Sequence, residues 1–240
     1  MPKRIFSEKL PTQATPVPMP QKELRHLHVL RITPQNEVIV LNGKGKSVLA
    51  QWTGMELIWL KDLEEQQALP MTLIMALVKP DAMEMVLQKA TEMGVARIIP
   101  LLAERSVSRK RDVQERFTRI MEGALKQSGQ LMMPHLEATR TIHELEDAPM
   151  ILCSLRPGPF VLDHLLCHTE PPSFLIGPEG GWTQEEEELL IRKGGHPVSL
   201  GPTVLRAETA ALFCTSLLCA MVRSDILCNT RTASLAIPQG

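Results

Sequence analysis

The chain has 240 residues, a length that predicts one large domain or two modest ones. Its 44% hydrophobic and 22% charged residues exclude a wholly disordered chain, and a chain of this length can bury a core without disulfides or metals. Five Phe, three Trp and no Tyr disfavour a protein that stacks successive bases on exposed rings.

The charge is unevenly distributed along the chain. The net charge is −1, but residues 1–50 carry +5 and residues 131–240 carry −6. This asymmetry suggests that a polyanion meets the first half of the chain. A chance distribution of surface charge explains the asymmetry equally well at this point.

Cysteine usage and hydropathy predict a cytoplasmic protein. The five cysteines form no CxxC pair and no metal-ligand spacing, so we expect reduced thiols and no metal site. The N-terminus lacks the apolar stretch of a signal peptide. No apolar run approaches the roughly 20 residues of a membrane span, so we expect no membrane association.

Short strands with tight turns dominate the first 70 residues. Strands are predicted at residues 4–6, 37–41, 47–52 and 55–59, with a proline-rich loop at 11–20 and a helix at 23–31. Asn42-Gly43 predicts a two-residue hairpin. These elements are typical of a small antiparallel barrel, which the acidic stretch 61–67 and Pro70 would end.

After residue 70, apolar strands alternate with helices. Predicted strands occupy residues 71–78, 95–102, 150–155, 173–176 and 197–200, and predicted helices 81–93, 112–128, 160–167, 183–193 and 206–222. We expect Asp81 to cap the first of these helices, Gly94 to end it, and Thr183 with Glu186 to form a capping box. The alternation predicts an α/β domain with a mainly parallel sheet.

The segment 176–182, IGPEGGW, is the first candidate binding loop. Three glycines follow a buried strand and precede a capped helix, at the sheet edge where α/β proteins bind ligands. Glycine allows the backbone to approach a ligand and offers free N–H groups. The segment is neither GxGxxG nor a P-loop, and an ordinary strand-to-helix turn is the alternative.

The segment 199–210, SLGPTVLRAETA, repeats this arrangement. Arg206 and Glu208 are predicted in the first turn of the last helix. Glu208 suits that position, because the helix dipole stabilises a negative charge there. Arg206 opposes the dipole, so we expect it to meet an anionic ligand or a carboxylate.

At these motifs the chain resembles the RsmE family of 16S rRNA (uracil-N3) methyltransferases, within the SPOUT superfamily. The matching segments run in the family's order over nearly the whole chain: 4–6, 29–31, 42–45, 83–84, 88–95, 104–107, 126–129, 176–182 and 199–210. The resemblance implies a PUA-like RNA-binding barrel at 1–70, a SPOUT methyltransferase domain with an α/β trefoil knot at 71–223, and a tail at 224–240. It also implies a homodimer.

The resemblance implies S-adenosylmethionine as cofactor, held in the knot largely by backbone and apolar contacts. The implied cofactor-binding residues are Leu155, Ile176, Gly177, Pro178, Glu179, Gly180, Leu200, Gly201, Val204, Leu205 and Arg206.

The implied reaction methylates N3 of a uridine in the decoding region of the small ribosomal subunit. That nitrogen carries a proton, which must be removed or displaced. Glu179 and Glu208 are candidates for the base, and Arg206 for stabilising the negative charge on the uracil. Either glutamate could instead have a structural role, and proximity of donor and acceptor could supply most of the rate.

The implied RNA ligand is 16S rRNA within the small subunit. The candidate RNA-binding residues are Arg25, Arg31, Arg105, Arg109, Lys110, Arg111, Lys126 and Gln127. A solvated helix face paired with acidic neighbours is the alternative for the cluster at 105–119, and the glutamates at 185–188 are interpreted as a solvated first turn.

The chain departs from the family pattern in three places. Arg25 replaces a usual His, Gln35-Asn36 a Gly-Asp turn, and Gln130 a usual Arg. Three other functions remain open: a SPOUT enzyme acting on a ribose hydroxyl or a tRNA base, a non-catalytic RNA-binding assembly factor, and a nucleotide-binding α/β enzyme. The last lacks the P-loop Lys-Ser/Thr and the acidic ribose ligand.

Overall fold

A computed structural model describes residues 2–107, 114–167 and 172–223. The first sheet has the order β1-β3-β4-β5-β2, with β1 parallel to β3 and the remaining pairs antiparallel. Its elements are β1 (Lys3–Phe6), β2 (Val17–Pro18), α1 (Gln21–Leu30), β3 (Glu37–Leu41), β4 (Lys46–Trp52) and β5 (Glu56–Glu65). Alternate residues such as Val38 and Val40 face its core together with Leu27 of α1.

The first 70 residues differ from the sequence prediction in three places. The predicted two-residue hairpin is wrong: residues 42–45 form the loop, because Asn42 Oδ1 accepts hydrogen bonds from the amides of Lys44 and Lys46. Strand β5 continues through the acidic stretch to Glu65, since its side chains reach solvent while its backbone pairs with β4. The proline-rich loop contains the short strand β2.

The second sheet has the order β12-β10-β11-β6-β7-β8, with β9 also paired to β7, and all of these pairs are parallel. Its strands are β6 (Leu69–Ala76), β7 (Val95–Leu102), β8 (His135–Leu136), β9 (Arg140–Thr141), β10 (Met150–Cys153), β11 (Ser173–Ile176) and β12 (Gly195–Val198). The helices are α2 (Pro80–Met93), α3 (Gln114–Ser128), α4 (Val161–Cys167), α5 (Gln184–Arg192) and α6 (Ala207–Arg223), with a 3-10 turn at Ile142–Glu144. The predicted α/β class is therefore confirmed.

Both faces of the second sheet are covered, which explains its continuous apolar strands. Leu73 and Met75 of β6 face a core shared with α2, α4 and α6. Ile74, between them, faces a second core that includes Ile142 of the 3-10 turn and Leu190 of α5. Successive residues of one strand thus pack into cores on opposite faces of the sheet.

Local capping signals predicted two helix boundaries correctly and missed a third. The capping box of Thr183 and Glu186 is confirmed, as is the left-handed Gly94 that ends α2. The prediction that Asp81 caps α2 is wrong, because the helix begins one residue earlier, with Lys79 as N-cap and Pro80 in the first turn. Arg206 immediately precedes α6, and its carbonyl accepts a hydrogen bond from Ala210 N.

The two sheets are joined through α3 and the loop at 42–45. Phe6 and Leu41 pack with Leu125 and Leu131 in a shared apolar cluster. Gly45 N donates to Leu131 O at 2.9 Å, and Gln66 N donates to Gly45 O at 2.9 Å. The predicted division near residue 70 stays a prediction, and the predicted tail at 224–240 lies outside the described residues.

Candidate functional site

Three loops meet at the carboxyl ends of neighbouring strands. Residues 154–160 follow β10, residues 177–183 follow β11, and residues 199–206 follow β12. Strand β10 lies between the other two, so the topology brings the loops together. Such an edge is where open α/β sheets bind ligands.

The loop after β11 makes a compact turn. Gly181 N donates to Pro178 O at 2.8 Å, and Gly181 has φ of 70°. A Cβ atom on Gly177 would lie 3.0 Å from the indole of Trp182, so glycine allows that ring to cover the backbone. The Trp182 Nε1–H donates to Cys153 O at 3.3 Å and joins this loop to the end of β10.

The loops after β10 and β12 lie against each other. Ser199 N donates to Pro159 O at 2.9 Å, and Val161 N donates to Ser199 O at 3.0 Å. A Cβ atom on Gly158 would lie 2.8 Å from Pro197 O. This close backbone approach fixes the relative position of the two loops.

The rim of this site is apolar and open. Leu155 and Val204 are 77% and 75% exposed, while Leu200 and Leu205 pack on the core below them. A Cβ atom on Gly201, with φ of 137°, would meet no atom within 4 Å. Exposed branched side chains beside open space leave room for a small ligand with an apolar surface.

The three predicted catalytic residues have different surroundings. The Glu179 side chain is exposed and its Oε1 accepts a hydrogen bond from Lys79 N at 3.1 Å, which joins it to the start of α2. Arg206 is exposed and Glu208 is half-buried in the first turn of α6. Within the described residues, neither the Arg206 nor the Glu208 side chain has a hydrogen bond or an ion pair.

Two predicted RNA-binding residues are engaged in contacts within the chain. Arg105 Nη1 donates to Gly180 O at 2.8 Å, so its guanidinium braces the loop after β11. Lys126 Nζ lies 2.8 Å from Oε1 of Glu23, a residue only 1% exposed, and this ion pair joins α3 to α1. Both cations thus have a structural contact that the sequence prediction did not anticipate.

The other predicted RNA-binding residues are dispersed. Arg31 is exposed and follows α1 with φ of 55°. Gln127 borders a groove of about 760 Å³ between α2 and α3, which Lys89, Arg116 and Arg119 also line. Arg109, Lys110 and Arg111 lie outside the described residues, as does the side chain of Arg25.

Two departures from the family pattern have structural explanations. Gln35 has φ of 75°, a conformation that favours the glycine usual there. Gln130 is buried, and its Oε1 accepts hydrogen bonds from Leu131 N at 2.8 Å and Met132 N at 3.3 Å. Position 130 therefore supports the loop that contacts the first sheet.

The interpretation of residues 185–188 as a solvated first turn is wrong for two of the four. Glu186 completes the capping box and accepts a hydrogen bond from Glu104 N at 2.7 Å. Glu187 is buried and contacts Ser154 and Arg156 in the loop after β10. The overlooked signal was spacing, since Glu187 lies one turn before buried Leu190 and shares its face.

A cysteine pair lies beneath the site. Cys153 Sγ is 3.7 Å from Cys214 Sγ of α6. The hydrogen bond with Cys153 and burial raise the pKa of the Cys214 thiol well above its usual value, so it stays neutral. Among the described residues no group of His, Cys, Asp or Glu could hold a metal ion, and no helix there is long and apolar enough to cross a membrane.

The chain matches a known domain family. The profile described as an RNA methyltransferase domain covers residues 65–219. A protein of Synechocystis, a ribosomal RNA small subunit methyltransferase E, is 32% identical over 76% of this chain, and the match spans 65% of that protein. The protein of the same name from Rickettsia conorii is 30% identical over 78% of this chain and 83% of its own length.

Solved structures share the whole fold. A ribosomal RNA small subunit methyltransferase E from Neisseria gonorrhoeae, bound to S-adenosyl methionine, superposes with a TM-score of 0.82 at 29% identity, covering 93% of this chain and 98% of its own. A Legionella pneumophila protein in complex with SAM gives a TM-score of 0.79 at 29% identity, covering 92% and 98%. The predicted combination of a PUA-like barrel with a SPOUT domain is confirmed by this likeness.

Proposed function

The chain belongs to the ribosomal RNA small subunit methyltransferase E family, and from this premise we propose that it transfers a methyl group to N3 of a uridine in 16S rRNA. The observation that carries the proposal is the convergence of the three loops at the ends of β10, β11 and β12. Their glycines, exposed backbone and apolar rim suit a cofactor held mainly by backbone and apolar contacts.

The cofactor in this proposal is S-adenosylmethionine, which supplies the methyl group. Gly177, Gly180 and Gly201 would offer backbone groups to its polar edges, and Leu155 and Val204 would cover its apolar surface. The remaining predicted contacts come from the same three loops. Open space at Gly201 is consistent with a ligand there, because a side chain would fill it.

The residues beside the loops must handle a proton, because N3 of uracil is protonated at neutral pH. Glu208 is the better placed base, since its half-buried carboxylate has no hydrogen bond within the described residues, whereas Glu179 holds the start of α2. The Arg206 guanidinium would then stabilise the negative charge that develops on the uracil ring. Holding donor and target base together would supply a further part of the rate.

The RNA in this proposal contacts the first sheet and the basic residues around α3. Residues 1–50 carry a net charge of +5, and Lys89, Arg116 and Arg119 line the groove between α2 and α3, where each also pairs with a glutamate at 2.8, 3.6 and 3.6 Å. Phosphate contacts from these residues would position the RNA without reading its sequence. The homodimer that the resemblance implies is also part of this proposal.

Methyl transfer tests the proposal directly. Small ribosomal subunits from a strain lacking the modification are incubated with the protein and tritiated S-adenosylmethionine, and the product nucleoside is identified by mass spectrometry. We expect 3-methyluridine. A ribose-methylated nucleoside would point to another SPOUT activity, and cofactor binding without any transfer would favour a non-catalytic assembly factor.

Salt dependence tests the proposed RNA contact of the basic segment at 109–111. We expect reversal of charge at both Arg109 and Arg111 to flatten the plot of log affinity against log salt, by about 0.7 to 0.9 per lost phosphate contact. Binding of a 16S rRNA fragment is measured at several salt concentrations, with Arg192→Glu on the exposed end of α5 as control. An unchanged slope would remove this segment from the RNA-binding surface.

A further inference from the structure

The loop that carries Leu155 has little burial to hold it in place. Residues 155–160 are all exposed, and Leu155 itself is 77% exposed. Two prolines and the backbone hydrogen bonds to Ser199 restrain its second half. Its first half, from Ser154 to Arg156, needs another restraint if Leu155 is to meet a ligand in one conformation.

Glu187 of α5 supplies that restraint. The Ser154 hydroxyl donates to Glu187 Oε1, and the same hydroxyl oxygen accepts a hydrogen bond from Arg156 N at 2.9 Å. Arg156 Nε lies 2.5 Å from Glu187 Oε2. The two residues that flank Leu155 are therefore both tied to one carboxylate, which fixes the backbone between them.

The burial of Glu187 makes the contact consequential. Its side chain is 11% exposed, whereas the side chain of Arg156 is 41% exposed. Leaving a largely buried carboxylate without partners costs free energy. The contacts of Ser154 and Arg156 with Glu187 are therefore favoured, and they hold the loop against α5. The loop after β11 ends at Trp182 and Thr183, where Thr183 caps α5 and the Trp182 indole binds Cys153 O, so the start of α5 contacts both loops.

We propose that Glu187, through Ser154 and Arg156, is a positioning residue that holds the loop after β10 in the conformation that receives S-adenosylmethionine. This inference rests on the proposed function, because the ligand is the cofactor of that reaction. Glu187 does not touch the reacting atoms. It keeps the loop ordered before the cofactor arrives, so that binding does not include the free-energy cost of ordering the loop.

Calorimetric titration with S-adenosylmethionine tests the inference. We expect Glu187→Gln to weaken binding about tenfold or more, since a hydrogen bond to a charged group is lost at the loop. Glu188→Gln is the matched control: it removes the same charge one residue later, from an exposed side chain whose only hydrogen bond among the described residues is with Gln184. It should bind within about twofold of wild type.

Hydrogen exchange and a variant of Arg156 distinguish a positioning role of Glu187 from a general loss of structure. Hydrogen exchange should rise in the peptide covering residues 154–160 in Glu187→Gln and stay unchanged in β3 and β4. Arg156→Gln, at a half-exposed site, should weaken binding in the same direction. The double variant should lose less binding free energy than the sum of the two single variants, because both substitutions remove the same Arg156–Glu187 interaction.

The outcomes distinguish this inference from the proposed function. Wild-type protein that fails to bind S-adenosylmethionine would overturn both. Wild-type protein that binds it while Glu187→Gln and Arg156→Gln bind equally well would overturn the positioning role alone. In the methyl-transfer assay, we expect Glu187→Gln to raise KM for the cofactor with kcat within about threefold of wild type, and lower kcat at unchanged KM would contradict the inference.

Discussion

Arg206→Ala is expected to lower the rate of methyl transfer about tenfold or more with the fold intact. Arg206 is exposed at the start of α6, where it opposes the helix dipole, and it forms no ion pair within the described residues. A cation in that position contributes little to stability, so its removal should leave the melting temperature nearly unchanged. The rate should fall because the negative charge that develops on the uracil ring loses a stabilising cation.

Single-turnover rates with saturating cofactor measure this effect. Arg206→Lys should retain part of the rate, since it keeps the charge but loses the planar fork of donors. Arg192→Ala on the exposed end of α5 is the control, because it removes a cation from the same domain outside the three loops. Near-wild-type turnover by Arg206→Ala would remove Arg206 from the site.

Gly45→Ala is expected to destabilise the protein by about 2 to 4 kcal/mol. Gly45 has φ of 88°, and a Cβ atom there would lie 2.3 Å from the backbone oxygen of Gln66. A backbone atom cannot move aside as a flexible side chain can, so the loop at 42–45 must shift. That loop joins the first sheet to Leu131, so affinity for RNA should fall more than affinity for S-adenosylmethionine.

Thermal unfolding measures the stability loss against a matched glycine. Gly54 has φ of 103°, but a Cβ atom there meets only the ring of Pro34, at 3.3 Å. Gly54→Ala therefore introduces the unfavourable φ without a collision between backbone atoms. It should lower the free energy of unfolding by about 1 to 2 kcal/mol. Equal losses in the two variants would contradict the account of Gly45.

Local patterns predicted most of the secondary structure correctly. The apolar strand at 95–102, the capping box at Thr183 and the left-handed Gly94 appear as expected. Each depends on residues within a few positions of one another, where side-chain type limits the backbone directly. The glycine-rich segment at 176–182 was also placed correctly at the end of a buried strand.

Predictions failed where a local pattern competed with a distant contact. Asp81 has the side chain of an N-cap, but α2 begins at Pro80 after Lys79, whose amide is bound by Glu179 a hundred residues later. Lys126 was expected to contact RNA, which stays a prediction, but its ion pair with Glu23, 103 residues earlier, was not foreseen. Glu187 was expected in solvent and is buried against Ser154.

The sequence by itself determined the α/β class, the boundaries of most elements and the two loops at 176–182 and 199–210, because periodicity and turn chemistry are local. Only the tertiary structure decided which charged side chains are free at those loops and which are held by the fold. The burial of a carboxylate or an ammonium group depends on strand order and on contacts across a hundred residues, and these are set by the packing of both sheet faces rather than by neighbouring residues. For that reason the role of Glu187 became visible only once the loop after β10 was placed against α5.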